Sequence, residues 1–206
     1  MAVDVAAFSV FAVVATVTPG PNNIMLASSG AAFGFRRSMP HMLGIAFGFP
    51  LMVALVALGL APLLSAAPAI HQVMQVVGAV FLLYLAWRIF QARRATLALD
   101  KVGTQPLTFL QAAAFQWINP KGWQMALAAV TTYAVPLPGS QITDALTLAL
   151  VFFAAAWVGV TPWVWVGMKI EGFLTTQARR NWFFGGLAAS LALSLAPGLW
   201  SLVSTT

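Results

Sequence analysis

Cysteine is absent from this chain of 206 residues, which excludes disulfides, thiolate metal sites and dithiol electron transfer. Acid is nearly absent as well. The four carboxylates are Asp4, Asp100, Asp144 and Glu171, all near the ends of apolar runs, so no pair is placed for acid–base catalysis or for a hard cation. No Gly-x-Ser-x-Gly or His-Glu-x-x-His motif occurs. The two histidines, His41 and His71, have no second histidine or carboxylate at ligand spacing, and read as interfacial residues near the ends of spans, with only a weak claim on proton coupling. These absences argue against an enzyme: no catalytic residue, no metal ligand and no cofactor is expected.

Apolar residues dominate what remains. Hydrophobic residues make up 61% of the chain and charged residues 7%, where soluble domains carry about 45–50% and about 25%. So few charges cannot cover a surface in water, and the solvent of this fold is expected to be lipid. The net charge of +6 does not indicate a nucleic-acid partner, because the basic residues are spread over separate segments with no groove or stacking motif between them.

Their distribution is informative. Nine of the ten Lys and Arg residues lie in or beside three segments between apolar stretches: Arg36 and Arg37; Arg88, Arg93, Arg94 and Lys101; Lys169, Arg179 and Arg180. The segments around 65–70 and 134–143, and both termini, have none. Cationic loops are retained in the cytoplasm, so this alternation predicts a multi-pass protein of the bacterial inner membrane with both termini outside. Asp4 stands where a basic n-region would be, and the first apolar run continues past any cleavage site, so no cleavable signal peptide is expected.

Six spans are expected, at about 5–34, 41–64, 68–91, 107–132, 145–168 and 182–203, most of them longer than the roughly 20 residues that cross the hydrocarbon core. Tyr84, Trp87, Trp165 and Trp182 would mark the cytoplasmic interface, Tyr133 and Trp200 the outer one. The hydrophilic stretch 92–106 divides the single membrane domain into halves, 1–91 and 107–206. Span 1 is interrupted at Thr18-Pro19-Gly20-Pro21-Asn22 and span 4 at Asn119-Pro120-Lys121, with Pro19 and Pro120 101 residues apart. Three spans is an odd number, so the second half must be inserted upside down. Inverted repeats with helices broken in corresponding positions are a recurring architecture of secondary transporters. The expected fold is therefore an all-α membrane protein of six helices, two inverted three-helix repeats, with helices 1 and 4 broken near the midplane.

Both breaks fall about 13–14 residues into their spans, roughly 20 Å deep at 1.5 Å per residue. A proline removes a helical hydrogen bond and clashes with the carbonyl four residues earlier, which should release the carbonyls of Ala15, Val17 and Gln116. Beyond each break a half-helix begins, with unpaired N–H groups and a positive dipole end. Asn119 has N-cap chemistry with Pro120 at the first helical position, and Asn22 or Asn23 is expected to cap the other. Irregular backbone survives in a membrane only inside protein or beside a watery cavity, so the two breaks are expected to share one. Its N–H groups would attract a carboxylate and its carbonyls an ammonium, and an amino-acid zwitterion has both.

Lys121, the tenth basic residue, lies inside an apolar stretch. A lysine there costs about 2.5–3.5 kcal/mol on insertion scales, and it sits in the first turn of a half-helix, where the dipole opposes it. An anionic substrate group would explain it. The plainer reading, neutralisation of a buried acid or escape to water along its stem, has no acid inside a span to draw on. The expected binding residues are Pro19, Gly20, Pro21, Asn22, Asn23, Asn119, Pro120 and Lys121, with Trp117 and Trp123 beside the second break as cavity walls that size the substrate.

These residues also carry a resemblance. Thr18-Pro19-Gly20-Pro21-Asn22, Gly34-Phe35-Arg36-Arg37, the Leu43–Gly48 segment LGIAFG, the Gly78–Arg88 segment GAVFLLYLAWR and Asn119-Pro120-Lys121 resemble, in order, the pattern of the LysE/RhtB-type family of bacterial amino-acid exporters. The resemblance covers nearly the whole chain. It implies efflux of amino acids or similar small metabolites, driven by an ion gradient across the inner membrane. Ser38-Met39-Pro40-His41 and the bulky Trp117 and Trp123 depart from the family pattern and bear on substrate size. Two relatives in the wider superfamily are thought to move metal ions; without cysteine or an intramembrane carboxylate a metal site is not expected here.

Gly30/Gly34 and Gly44/Gly48 follow small-xxx-small spacing, read as packing within the chain, though a homodimer is compatible with it. Trp157 reads as helix packing, and Arg36 and Arg37 as topology signals. A passive channel or permease of the same superfamily is the alternative function, separable by flux that ignores uncouplers.

Overall fold

The computed structural model describes residues 3–60, 68–92, 105–134 and 140–194, and all regular structure among them is helical. Helix α1 spans Val5–Val17, and α2 spans Pro21–Leu55 and runs on through a π-helical turn, Val56–Leu60. Helix α3 spans Pro68–Ala92, α4 spans Phe109–Phe115 and passes into a 3-10 turn, Gln116–Ile118, and α5 spans Pro120–Tyr133. Helices α6, Gln141–Glu171, and α7, Gln177–Leu193, complete the set. Local chemistry sets several starts. Asp4 accepts from Ala7 N at 3.1 Å ahead of α1, Thr108 and Gln111 form a reciprocal capping box on α4, and the Thr176 hydroxyl caps α7.

Two breaks fall where proline chemistry predicts them, between α1 and α2 and between α4 and α5. A third break differs from expectation. Spans 1 and 2 were predicted to be joined by a loop bearing Arg36 and Arg37, yet helix is interrupted only at Gly34, at φ 73° and ψ 179°. Across it the Ser29 and Ser38 hydroxyls meet at 2.9 Å, whereas nine residues of continuous helix would separate them by about 13.5 Å along the axis. The two arms of α2 therefore fold back on each other. One left-handed residue, open to glycine and strained for others, does the work of a loop, and both arginines fall in the second arm's first turn.

The other predicted spans differ at their ends. Span 5 is longer as α6, and α7 starts before the predicted sixth span, capped by Thr176. The rest of that span, Trp200, and all of the 92–106 link except Ala92, Gln105 and Pro106 lie outside the described residues.

Helix α6 packs on both α1 and α2, α4 lies against α2, and α3 against α7. Glycines set the closest approaches. A Cβ on Gly30 would strike the Val164 backbone, one on Gly167 the Ala27 carbonyl, and one on Gly44 or Gly48 the chain of α4 between Phe109 and Ala113. Gly30, Gly44 and Gly48 are thus packing glycines within the chain. Gly34, paired with Gly30 in the sequence reading, has nothing within 4 Å and serves the turn instead.

Polarity is inverted relative to a soluble fold. Val10, Leu51, Val80, Leu150 and Val158 are exposed, while Asn23, Ser29, Ser38, His41, Gln116, Asn119 and Asp144 are buried. An outer surface this apolar suits lipid. Gln141–Ile170 is long and apolar enough to cross a bilayer, and Pro21–Leu60, bent at Gly34, meets the same test of length and composition.

Candidate functional site

At the first break α1 ends at Val17 and α2 begins at Pro21, leaving a run of carbonyls without helical donors. Each acquires one. Thr18 N donates to Val14 O at 3.1 Å, and the Thr18 hydroxyl to Ala15 O at 2.9 Å. Asn23 Nδ2 donates to Thr16 O at 2.8 Å and to Thr18 O at 2.9 Å. The Trp163 indole of α6 donates to Val17 O at 3.0 Å. Ile24 N closes on Gly20 O at 3.0 Å.

The remaining donor comes from the other break. Lys121 Nζ donates to Thr18 O at 2.7 Å, to Thr18 Oγ1 at 2.9 Å and to Pro19 O at 3.2 Å. Residues 103 positions apart in sequence are joined there. Gly20 makes room for this stem: a Cβ on it would lie 2.5 Å from Lys121 Cδ and 3.0 Å from Nζ. The Gly20 backbone is extended, φ −173° and ψ 179°, so close approach and not conformation demands glycine.

A second bridge lies beside the first. Asn22 Nδ2 donates to Gln116 Oε1 at 2.9 Å, and Gln116 Nε2 returns a bond to Asn22 Oδ1 at 3.2 Å. Gln116 Nε2 also donates to Ala112 O at 2.8 Å, a carbonyl left over where α4 tightens into its 3-10 turn. Gln116 is fully buried, and leaving such an amide unpaired would cost about 1–3 kcal/mol per group.

The structure revises several sequence-based assignments. Asn22 and Asn23 do not cap α2; Gly20 holds the N-cap position with Pro21 at N1, so Pro21, not Pro19, corresponds to Pro120. Asn23 turns back instead and donates to the end of α1. Asn119 does occupy the N-cap position of α5, with Pro120 at N1, but its side chain makes no capping bond; the backbone Asn119 O accepts from Trp123 N at 3.1 Å. The carbonyls of Ala15 and Val17 are released as expected, yet Thr18 and Trp163 already hold them, and Gln116 O accepts from Asn119 N at 3.3 Å. Lys121 neither pairs with an acid nor runs out to water; it is held by the opposite break.

A cleft of about 420 Å³, mouth included, opens at this junction, lined by Thr16, Gly20, Asn22, Asn119, Lys121 and Met125 among others. Pro21 and Asn23 also line it, while Pro19 and Pro120 shape the backbone behind it. Trp117 and Trp123 are not in its wall. The Trp123 indole donates to Trp117 O at 2.7 Å and packs edge-on to the Trp117 ring at 6.2 Å, bracing the second break from the core side. Among the described residues no carboxylate lines the cleft. One atom stands out: Asn119 Oδ1 is buried and accepts no hydrogen bond.

His41, expected at an interface, is buried with both ring nitrogens unpartnered; the fold-back at Gly34 tucks the start of the second arm inward. The side chain of His71 lies outside the described residues. Gln116, Thr16, Thr18 and Trp163 are site residues that sequence reasoning missed. Gln116 had a usable signal, an amide in an apolar run just ahead of Asn-Pro.

Apolar helices that expose their hydrophobic faces and gather buried amides and a lysine at paired helix breaks define a membrane transporter. The chain belongs to a family of such proteins, the LysE type translocators, whose pattern matches residues 13–197. It is 35% identical over 131 residues, 63% of this chain, to a cysteine/O-acetylserine efflux protein of Salmonella paratyphi A, and 32% identical over a stretch of the same length to one of Escherichia coli O1:K1. The matched part spans 65% of each of those two proteins. A protein of the same description from Klebsiella pneumoniae is 25% identical over 192 residues, 93% of this chain and 96% of the relative. No solved structure matches the chain. That family is one of translocators, not of enzymes.

Proposed function

We propose that the protein exports a small neutral amino acid, cysteine or O-acetylserine by the names of its relatives, across the bacterial inner membrane by alternating access. Six spans in two inverted halves, with both termini outside, would frame a binding site at the two breaks, and an ion gradient would drive the cycle. The observation that carries this reading is that Lys121 of one break occupies the carbonyls of the other, next to an unpaired Asn119 Oδ1.

The chemistry follows from that contact. The Lys121 ammonium sits where a substrate ammonium would sit, among Thr18 O, Thr18 Oγ1 and Pro19 O. An incoming zwitterion offers an ammonium of its own to those carbonyls and to Asn119 Oδ1. Its carboxylate then pairs with the released Lys121 Nζ and with the first-turn N–H groups of α2 and α5. Hydrogen bonds are exchanged, not lost, so unloading the break costs little when substrate is present and much when it is not. In the empty protein Lys121 and the Asn22–Gln116 pair tie the two halves together. Substrate loosens the tie, and the halves can then rock about the site.

Efflux of O-acetyl-L-serine from proteoliposomes tests this. Lys121→Ala should lower the rate at least tenfold while the protein still inserts, and Asn119→Leu should raise the half-saturating concentration. Unchanged transport in Lys121→Ala would sink the reading, and flux indifferent to uncouplers would favour a channel.

A further inference from the structure

A second cavity, about 600 Å³ with its mouth, lies between α2, the end of α3 and residues 105–107. Ser28, Ser29, His41 and Arg88 line it beside Met25 and Leu85. Both cavities are built on the two arms of α2. On the first arm Asn22 and Asn23 face the break cleft and Met25 and Ser28 the second cavity; on the second arm Ile45 faces the cleft and His41 the second cavity. Four residues of helix set His41 about 6 Å from Ile45 along the axis. On the second arm these two lining residues are thus about one turn apart.

The imidazole here is not accounted for by the described fold. His41 is 2% exposed, and neither ring nitrogen has a partner. A neutral imidazole presents one N–H and one lone pair, so it calls for a ligand that can both accept and donate. The single proton of Ser38 goes to Gly34 O at 2.9 Å, so Ser29 donates to Ser38 and keeps lone pairs for a donor. Arg88 brings a permanent positive charge, steadied over the Tyr84 ring at 5.6 Å with Nη1 donating to Tyr84 Oη at 2.6 Å. No carboxylate lines the cavity among the described residues. Positive charge plus an imidazole and hydroxyls selects a carboxylate that carries a hydrogen-bond donor close by.

We infer that this cavity is an intake site, in which an amino-acid zwitterion is held by its carboxylate at Arg88 and His41 and by its ammonium at His41 and Ser29 before it moves one turn inward to the break cleft. The inference rests on the reading above that the Arg88 end faces the cytoplasm and that the cleft binds an amino acid. Two sites one turn apart would let a substrate leave its water in two small steps, with Met25 and Ile45 as the apolar sill between them.

The absence of cysteine makes the test direct. Ser28→Cys puts a single thiol in the cavity wall of the full chain, and Ala32→Cys, on the same wall, serves if the first variant does not accumulate. Labelling with an anionic sulfonate methanethiosulfonate should run at least tenfold faster than with a cationic trimethylammonium one. Arg88→Gln should erase that preference. O-acetyl-L-serine, and more weakly propionate, should slow labelling; His41→Leu should remove the protection, and Lys121→Ala should not. Equal rates with both reagents and no protection would mean that the cavity holds water only, overturning the inference. Protection that disappears with Lys121→Ala would overturn it too, since the ligand would then act from the break cleft. If protection persists while Lys121→Ala transports normally, the intake site stands and the cleft reading fails.

Discussion

Gly20→Ala is the sharpest perturbation of the junction because its expected effect passes through one side chain. The backbone at Gly20 is extended, a conformation any residue adopts, so alanine brings no strain of its own. Its Cβ, however, would lie 2.5 Å from Lys121 Cδ, about 1 Å inside ordinary van der Waals contact. Lys121 must withdraw by that amount, which carries Nζ from 2.7 Å and 2.9 Å off Thr18 to beyond hydrogen-bond reach. Bonds from a charged donor contribute about 1.5–3 kcal/mol each and are not additive, so a loss of about 2–3 kcal/mol is expected. At about 1.4 kcal/mol per tenfold, that is roughly 30- to 140-fold in the equilibrium that holds the break closed.

The assay is a double-mutant cycle on reversible unfolding in mixed micelles, with efflux measured alongside. Gly20→Ala and Lys121→Ala should each destabilise, and in the Lys121→Ala background Gly20→Ala should cost no more than about 0.5 kcal/mol. Full additivity of the two penalties would refute the claim that Gly20 is small in order to admit Lys121.

The amide orientation of Asn23 gives another prediction. Asn23→Ala strips Thr16 O of its donor at about 1–3 kcal/mol, and Asn23→Asp should lower thermal stability further, because a carboxylate would face three carbonyl oxygens; an aspartate variant as stable as the parent would show that the amide points the other way. At Gly34 no atom lies within 4 Å of a built Cβ, so Gly34→Ala should cost only the left-handed conformation, about 1–2 kcal/mol. With ψ at 179° the residue lies outside the αL well that asparagine tolerates, so Gly34→Asn should lose as much as Gly34→Ala in the same unfolding measurement, and full stability in either variant would show that the turn does not require glycine.

Much of the site was legible because proline acts locally. Pro19, Pro21 and Pro120 each forbid a helical hydrogen bond whatever surrounds them, and a buried lysine in an apolar run is costly in any fold. The breaks and the prominence of Lys121 follow from that. The partners of these groups were not legible. That Asn23 turns back five to seven positions to α1 depends on how the chain turns at the break, that Trp163 of α6 covers Val17 O and that Gln116 pairs with Asn22 depend on contacts across 146 and 94 positions, and no local rule ranks one donor above another. Gly34 was read with Gly30 as a packing glycine because a glycine needed for a turn meets small-xxx-small spacing equally well. Trp117 and Trp123 were placed on a wall by nearness in sequence, while the 3-10 turn rotates them to the core side.

Composition and proline placement determined that this chain suits lipid, is helical and is interrupted at Pro19–Pro21 and at Pro120, because hydrophobicity and the missing N–H of proline are properties of residues. Tertiary structure alone decided that the breaks meet and that Lys121 fills the carbonyls opposite. It also decided that His41 turns inward onto a second cavity. Those outcomes depend on how closely helices approach, which glycines such as Gly30, Gly44 and Gly167 permit but do not by themselves direct.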